Sequence, residues 1–224
     1  MQRIEQLDSL RGIAAFIVMI GHYSVLFLEF RNFKFLNLLF SSGSSAVSLF
    51  FVLSGFVLSI SVVNNKNNSY FVFLIKRFFR LYIPYILSVF LAMFCYYIFS
   101  KSNIMFVADE WSNKIWHTPI SLKLLCDYLL FFGSFENGIF NPVYWSLVME
   151  GRISLIFFLL IYCTYKIKFF KNILLWIAIC TVALFVNKLF QVKSDHLQTF
   201  CFVPNFLIGI YVYYGLNVAC WGVV

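Results

Sequence analysis

Long apolar stretches without formal charge restrict what this sequence can fold into. Residues 12–28, 43–63 and 81–100 contain no Asp, Glu, Lys or Arg. A helix needs about 20 mainly apolar residues to cross about 30 Å of hydrocarbon, so each stretch predicts a membrane span. The chain is 62% hydrophobic and 12% charged, whereas soluble domains carry about 25% charged residues. The sequence therefore predicts an all-α, polytopic transmembrane helix bundle.

Three further apolar runs complete the predicted bundle. The run at residues 143–165 contains Glu150 and Arg152, the run at 172–187 is short, and the run at 197–215 contains Pro204. Between the third and fourth runs, a half-apolar patch at residues 124–132 is too short to cross and predicts a loop with a surface helix. We expect about six spans plus this helix, in a single domain covering residues 1–224.

The net charge of +8 comes mainly from short basic clusters between apolar runs. Such clusters are typical of cytoplasmic loops, so the charge argues against a nucleic-acid partner and favours a cytoplasmic N-terminus. Other Lys and Arg residues fall on the opposite side, which makes the bias modest. The six cysteines are scattered, with no C-x-x-C spacing, and we interpret them as small hydrophobes rather than metal ligands.

Two ionisable residues lie deep inside predicted spans, where such groups are costly and usually functional. His22 lies about 18 Å from the inner boundary, and Glu150 lies about 20 Å from it, at 1.5 Å per helical residue. A carboxylate beside an imidazole raises its basicity and fixes its tautomer, as a general base requires. The alternative interpretation is that both groups only bond helices together.

Several basic residues flank these spans. Arg11 shares a helix face with His22 to within about 20°, and it is either part of a site or a snorkelling anchor. Lys76, Arg77 and Arg80 precede the third span, where they either grip phosphates or form an ordinary positive flank. Ser54 is followed by Gly55, and this pair of small residues in the second span predicts that another helix packs closely against it.

Four segments, in order, resemble the motifs of the acyltransferase-3 family. They are LDSLRGIAA (residues 7–15) with Arg11 and His22 separated by ten residues, SLFFVLSGF (48–56), KRFFRLYIP (76–84) and YWSLVME (144–150). Many members carry aspartate at the position of Ser48. A second common form has glutamate and glutamine where this chain has Gly151 and Arg152, which suggests a sub-branch. FLIGI (206–210) is similar to a later family helix, so the resemblance covers residues 4–214.

The resemblance implies transfer of an acyl group, commonly acetyl, to a carbohydrate hydroxyl of a surface polysaccharide, lipopolysaccharide or peptidoglycan. Acetyl-CoA is the implied donor and no cofactor stays bound. His22 is the implied base or acyl carrier, with Glu150 orienting it. The implied phosphate-binding residues are Arg77, Arg80, Lys76 and Arg11.

The acceptor side is implied more weakly. Trp145 or Tyr144 is expected to stack against a sugar or lipid-linked glycan, and Ser54 is a further candidate substrate-binding residue. The implied setting is the lipid of a bacterial cytoplasmic (inner) membrane, and abundant Phe, Asn, Lys and Ile agree with an AT-rich bacterial genome.

Two other interpretations remain open. A transporter or channel fragment explains the buried charges, since Arg11, His22 and Glu150 would form a polar path. An inactive, C-terminally incomplete acyltransferase is the other, because a family bundle of about ten spans at about 20 residues each needs a longer chain.

Overall fold

The computed structural model describes residues 5–26, 43–64, 69–99, 121–130, 144–189 and 195–221. Every regular element within these ranges is an α-helix. In chain order the helices are α1 (Glu5–Leu26), α2 (Gly43–Asn64), α3 (Tyr70–Phe99), α4 (Leu122–Leu129), α5 (Trp145–Leu155), α6 (Phe157–Lys166), α7 (Phe169–Leu189) and α8 (Asp195–Trp221).

The predicted helical membrane bundle is confirmed. Four helices in the described ranges, α2, α3, α7 and α8, are long and apolar enough to cross a membrane, and a fifth span results if α5 and α6 are counted together. The crossing segment of α8, Leu197–Gly215, coincides with the predicted sixth run. Helix α1 has 22 residues and covers most of the predicted first span.

The centre of the bundle is the contact between α2 and α8, and two glycines make it possible. A Cβ atom built on Gly55 would collide with the backbone carbonyl of Phe206, and one built on Gly209 would collide with the backbone of Val52 and Phe56. Small residues let helix backbones approach closely in lipid, where packing rather than hydrophobicity drives association. The close approach predicted at residue 55 is therefore present, with Gly209 as its counterpart.

Helix α3 begins eleven residues before the predicted third span. It starts at Tyr70 rather than residue 81, so the basic segment lies inside the helix and not in a preceding loop. Residues 70–80 contain no glycine or proline, and Leu, Ile, Lys and Arg are all compatible with a helix. The helix also continues through Pro84.

The predicted fourth span is not one continuous helix. Helices α5 and α6 meet at Ile156 with a bend of 60°, where Ile156 has φ −98° and ψ 7°. The Ser154 hydroxyl donates to the carbonyl of Glu150 at 2.7 Å, a bond that bends helices. The Tyr70 hydroxyl donates to the carbonyl of Leu155 at 2.7 Å, which satisfies a backbone group at the break.

The predicted surface helix is present as α4 and is attached to α3. Two tyrosine hydroxyls of α3 donate to carbonyls at its C-terminal end, Tyr85 to Tyr128 and Tyr82 to Leu129. These carbonyls belong to the last turn, which has no partners within its own helix. The Tyr128 ring is buried and meets the buried Tyr144 ring edge-on.

The interpretation of all six cysteines as small hydrophobes is wrong for two of them. Cys180 of α7 and Cys201 of α8 form a disulfide, with their Cα atoms 5.0 Å apart. The two residues lie 21 positions apart in the chain, too far for any short motif to reveal the pairing. The disulfide links two adjacent helices in the half of the bundle that contains the end of α7 and the start of α8.

Candidate functional site

Glu150 lies where three helices meet and is bound by two of them. On α5, its Oε1 atom accepts a hydrogen bond from the Ser54 hydroxyl of α2 and one from Nη2 of Arg77 of α3. The Arg77 and Glu150 side chains are 7% and 16% exposed and form an ion pair. A charge in a bundle interior is tolerated when it is both paired and hydrogen-bonded, and both conditions are met here.

Arg77 is held at two points on α5. Its Nε donates to the hydroxyl of Ser154 at 3.3 Å, while Nη2 binds Glu150. Residues 150 and 154 are four apart and therefore share one face of the helix. The planar guanidinium spans this distance with its separate donors. The motif glutamate and the serine one turn later thus act together on one arginine.

Arg11 of α1 adds a further cation to this group. It is half-buried, and its charge interacts with Arg80, Glu150, Arg77 and Asp8. Burial, and then the neighbouring Arg80, lower the pKa of Arg11, whereas Glu150 and Asp8 oppose that shift. The interacting set contains three arginines and two acids, so its charge is positive. A positive cluster next to buried charges attracts anions.

The basic segment of α3 divides into a buried and an exposed part. Arg77 is buried, whereas Lys76 and Arg80 are exposed. At about 100° per residue, positions 76 and 80 lie about 40° apart around the helix, and position 77 lies about 100° from 76 and about 60° from 80. The family resemblance implied that Arg77 binds phosphate, and in the structure its guanidinium is paired with Glu150. Residues 77 and 80 are also neighbours on the helix, so the spacing alone did not separate the two roles.

His22 is a predicted site residue for which the structure describes only the backbone. Its backbone belongs to α1, eleven residues beyond Arg11 and roughly 16 Å farther along the axis. Its side chain lies outside the described residues. The contact between His22 and Glu150 therefore stays a prediction. Among the described residues, both hydrogen bonds to the Glu150 carboxylate go to Oε1.

The two aromatic residues at the start of the motif have different surroundings. Tyr144 is 2% exposed, and its ring packs edge-on against Tyr85 and Tyr128. Trp145 is half-buried, and its ring centroid lies 5.4 Å from that of Phe202. Tyr144 therefore presents no open ring face, and of the two only Trp145 keeps part of its surface exposed.

Arg152 faces away from Glu150, as the spacing of two residues predicts. Its Nη1 donates to the Thr199 hydroxyl of α8 at 3.4 Å and lies 3.9 Å from the sulfur of Met149. Thr199 is the partner that the sequence could not name. Helix α5 thus presents the negative charge of Glu150 to α2 and α3 and the positive charge of Arg152 to α8.

The fold and the site define an integral membrane protein with an ion-paired carboxylate inside a helical bundle. The chain matches the sequence model of the acyltransferase-3 family, described as an acyltransferase domain, over residues 4–219. It therefore belongs to that family, and its reaction class is acyl transfer. Neither a curated protein nor a solved structure matches the chain.

Proposed function

We propose that this protein transfers an acyl group, in the simplest case acetyl, from acetyl-CoA to a hydroxyl of a carbohydrate. The acceptor is a surface polysaccharide, lipopolysaccharide or peptidoglycan, or its lipid-linked precursor. The observation that carries the proposal is the half-buried Glu150, held by Ser54 and Arg77 with Arg11 in electrostatic range. Membership of an acyltransferase family supports acyl transfer as the chemistry of this site.

The donor is bound at the positive end of the site. Arg80 and Lys76 are exposed on one face of α3, and Arg80 interacts with Arg11. These cations suit the phosphates of CoA, since Arg recognises phosphate through several donors and Lys acts as a point charge. Arg77 contributes indirectly, because its guanidinium fixes the Glu150 carboxylate.

The transfer itself is assigned to His22. Its imidazole takes the proton of the acceptor hydroxyl, the hydroxyl oxygen bonds to the acyl carbon, and the carbon–sulfur bond of the thioester breaks. The proton then passes to the departing CoA sulfur. In the covalent variant, an imidazole nitrogen of His22 bonds to the acyl carbon as the CoA thiolate leaves, and the acceptor hydroxyl then displaces the imidazole and gives up its proton to it. Glu150 orients His22 through the carboxylate oxygen that Ser54 and Arg77 leave open among the described residues, and Trp145 contacts the sugar.

The proposed location is a bacterial cytoplasmic membrane with the N-terminus inside. This orientation puts Lys76, Arg80 and the donor site on the cytoplasmic side, where CoA esters are made. It also puts Cys180 and Cys201 in the outer half of the membrane, nearer the oxidising side where disulfides persist.

The test is acylation of surface glycan in cells that express the chain, compared with His22→Ala, Glu150→Gln and the control Lys168→Gln. Lys168 is an exposed cation outside the site. We expect both site variants to lose at least about a hundredfold in acylation, the range of general acid–base catalysis, and the control to match the parent. Full acylation by both site variants at normal abundance would contradict the proposal.

A second assay separates the enzyme from a transporter. Inverted membrane vesicles are given acetyl-CoA labelled in the acetyl group, together with acceptor glycan. Labelled glycan supports acyl transfer. Solute flux without labelled glycan would favour the transporter and overturn the proposal.

A further inference from the structure

A groove lies beside the Glu150 site, between two of the helices that form it. It has a volume of about 210 Å³ and runs between α3 and α5. Leu74, Phe78 and Leu81 form one wall, and Gly151 and Leu155 form the other. Its walls are almost wholly apolar, so a polar ligand would lose its hydrogen bonds there. The groove is suited to hydrocarbon.

The groove is continuous with the site. Arg77 and Ser154, which bind each other and hold Glu150, also line its inner wall. Gly151 is the residue directly after the carboxylate, and it has no side chain to fill the space. A chain lying in this groove would therefore have its inner end beside the ion pair.

The volume decides between a whole substrate and part of one. Complete small-molecule sites usually have about 300–1,000 Å³, so a groove of about 210 Å³ is too small for CoA, and its apolar walls would leave the hydroxyls of a sugar unpaired. It is large enough for a single alkyl chain. Phe78 and Leu155 at its edge are 36% and 43% exposed, so a chain can enter sideways from the bilayer.

We propose that this groove binds the hydrocarbon chain of the transferred acyl group, and that the missing side chain at Gly151 leaves room for this chain beside the ion pair. The inference rests on the proposed acyl transfer and extends it from acetyl to longer acyl groups. Burial of each methylene favours binding by roughly fourfold. A longer acyl chain in the groove would place its thioester carbonyl next to the Arg77–Glu150 pair.

The first experiment measures transfer from acetyl-, butyryl- and octanoyl-CoA to glycan in membranes containing the chain. The readout is the ratio of octanoyl to acetyl transfer. Gly151→Leu fills the groove and should lower this ratio at least tenfold, about the effect of one or two misfitted methylenes. Phe78→Ala widens the groove and should raise it. Leu87→Phe adds bulk to the exposed surface of α3 outside the groove and serves as the matched control.

These outcomes decide the inference. Opposite shifts from Gly151→Leu and Phe78→Ala, with no shift from Leu87→Phe, support it. Equal loss for all three donors in both groove variants overturns it, because the groove would then be structural. Membrane abundance and thermal unfolding of each variant show whether it has folded, and Phe78→Ala keeps the test valid if Gly151→Leu has not.

The second experiment does not depend on turnover. The purified chain is irradiated with octanoyl-CoA that carries a diazirine at the end of the acyl chain, and the labelled peptides are mapped. Labelling of residues 74–81 or 151–155 that Gly151→Leu reduces supports the groove, even if no glycan is acylated. Labelling elsewhere overturns it. Equal labelling of the same residues by a diazirine phospholipid identifies a membrane lipid as the occupant and also overturns it.

Discussion

At the residue scale, the carboxylate of Glu150 is stable inside the bundle because two donors share its charge. The Arg77–Glu150 pair joins α3 to α5, and the Ser54 hydroxyl joins α2 to the same oxygen. Removing one member of a buried pair leaves the other uncompensated, which costs more than the pair itself contributes. Stability and activity should therefore respond differently to single and double substitutions.

We expect Glu150→Gln and Arg77→Met each to destabilise the folded chain by about 3–5 kcal/mol, because each leaves one buried charge without its partner. The double variant Arg77→Met/Glu150→Leu should recover most of that loss while remaining inactive. Thermal unfolding in detergent and glycan acylation measure the two effects separately. A double variant as unstable as the sum of the single variants would show that the pair is not coupled.

The exposed cations Lys76 and Arg80 of α3 should affect binding of the donor and not the stability of the fold. Arg80→Gln and Lys76→Gln should raise the KM for acetyl-CoA several-fold with little change in kcat, since they remove binding that is equal in ground and transition states. The effect should shrink at high salt, because exposed charges are screened. An unchanged KM in steady-state assays, with Lys168→Gln as control, would exclude these residues from the donor site.

The sequence singled out Glu150 as an acid inside a span, and in the structure this half-buried acid is paired with Arg77. Its predicted contact with His22 stays a prediction. Counting residues along a helix gives depth, and His22 and Glu150 matched in depth by that count. Depth does not tell which helices are neighbours, so it could not predict that Arg77 pairs with Glu150. Arg77 shares a side of its helix with Arg80, three residues later, so the spacing of the basic residues did not mark Arg77 as the partner of Glu150.

At the element scale, the apolar runs predicted where helices lie, but they did not predict where a helix is interrupted. The sixth run matches α8 because its length and composition alone define a span. The break at Ile156 depends on Ser154 binding back to Glu150 and on Tyr70 reaching Leu155 from another helix. Tertiary contacts of this kind have no local pattern, so an uninterrupted apolar run could not reveal the bend.

The contact between α2 and α8 gives a prediction with a control on the same helix. Gly209→Ala places a methyl group inside the backbone of Val52, so the helices must separate, at a cost of about 1–3 kcal/mol as for other overpacked sites. Gly215→Ala meets nothing within 4 Å and should be neutral or stabilising by up to about 1 kcal/mol.

Thermal unfolding of both variants in the same detergent checks this contact. If Gly209→Ala lowers the melting temperature and Gly215→Ala does not, the backbones of α2 and α8 are in close contact at Gly209. Equal melting temperatures for the two variants would argue against the contact. Gly55→Ala, on the opposite helix, should behave like Gly209→Ala, since it meets the carbonyl of Phe206.

At the scale of the whole molecule, composition was enough to predict a helical membrane bundle, because a chain with 62% hydrophobic residues cannot cover itself with polar groups. The arrangement of the bundle needed the structure. Helix α8 packs on α2, although more than a hundred residues separate them, and Cys180 pairs with Cys201 across two helices. Both contacts depend on the three-dimensional order of helices, which hydropathy does not encode.

Orientation is the property of the whole chain that an experiment can test most directly. Residue 114 lies between the third and fourth predicted spans, and it should lie outside the cell if the N-terminus is inside. Lys168 lies between α6 and α7 and should face the cytoplasm. In a Cys126→Ser background, a membrane-impermeant maleimide should therefore label Lys114→Cys in intact cells and label Lys168→Cys only after permeabilisation. The opposite pattern would invert the bundle and move the Arg80 site away from cytoplasmic CoA, so the donor proposed here would have no access to it.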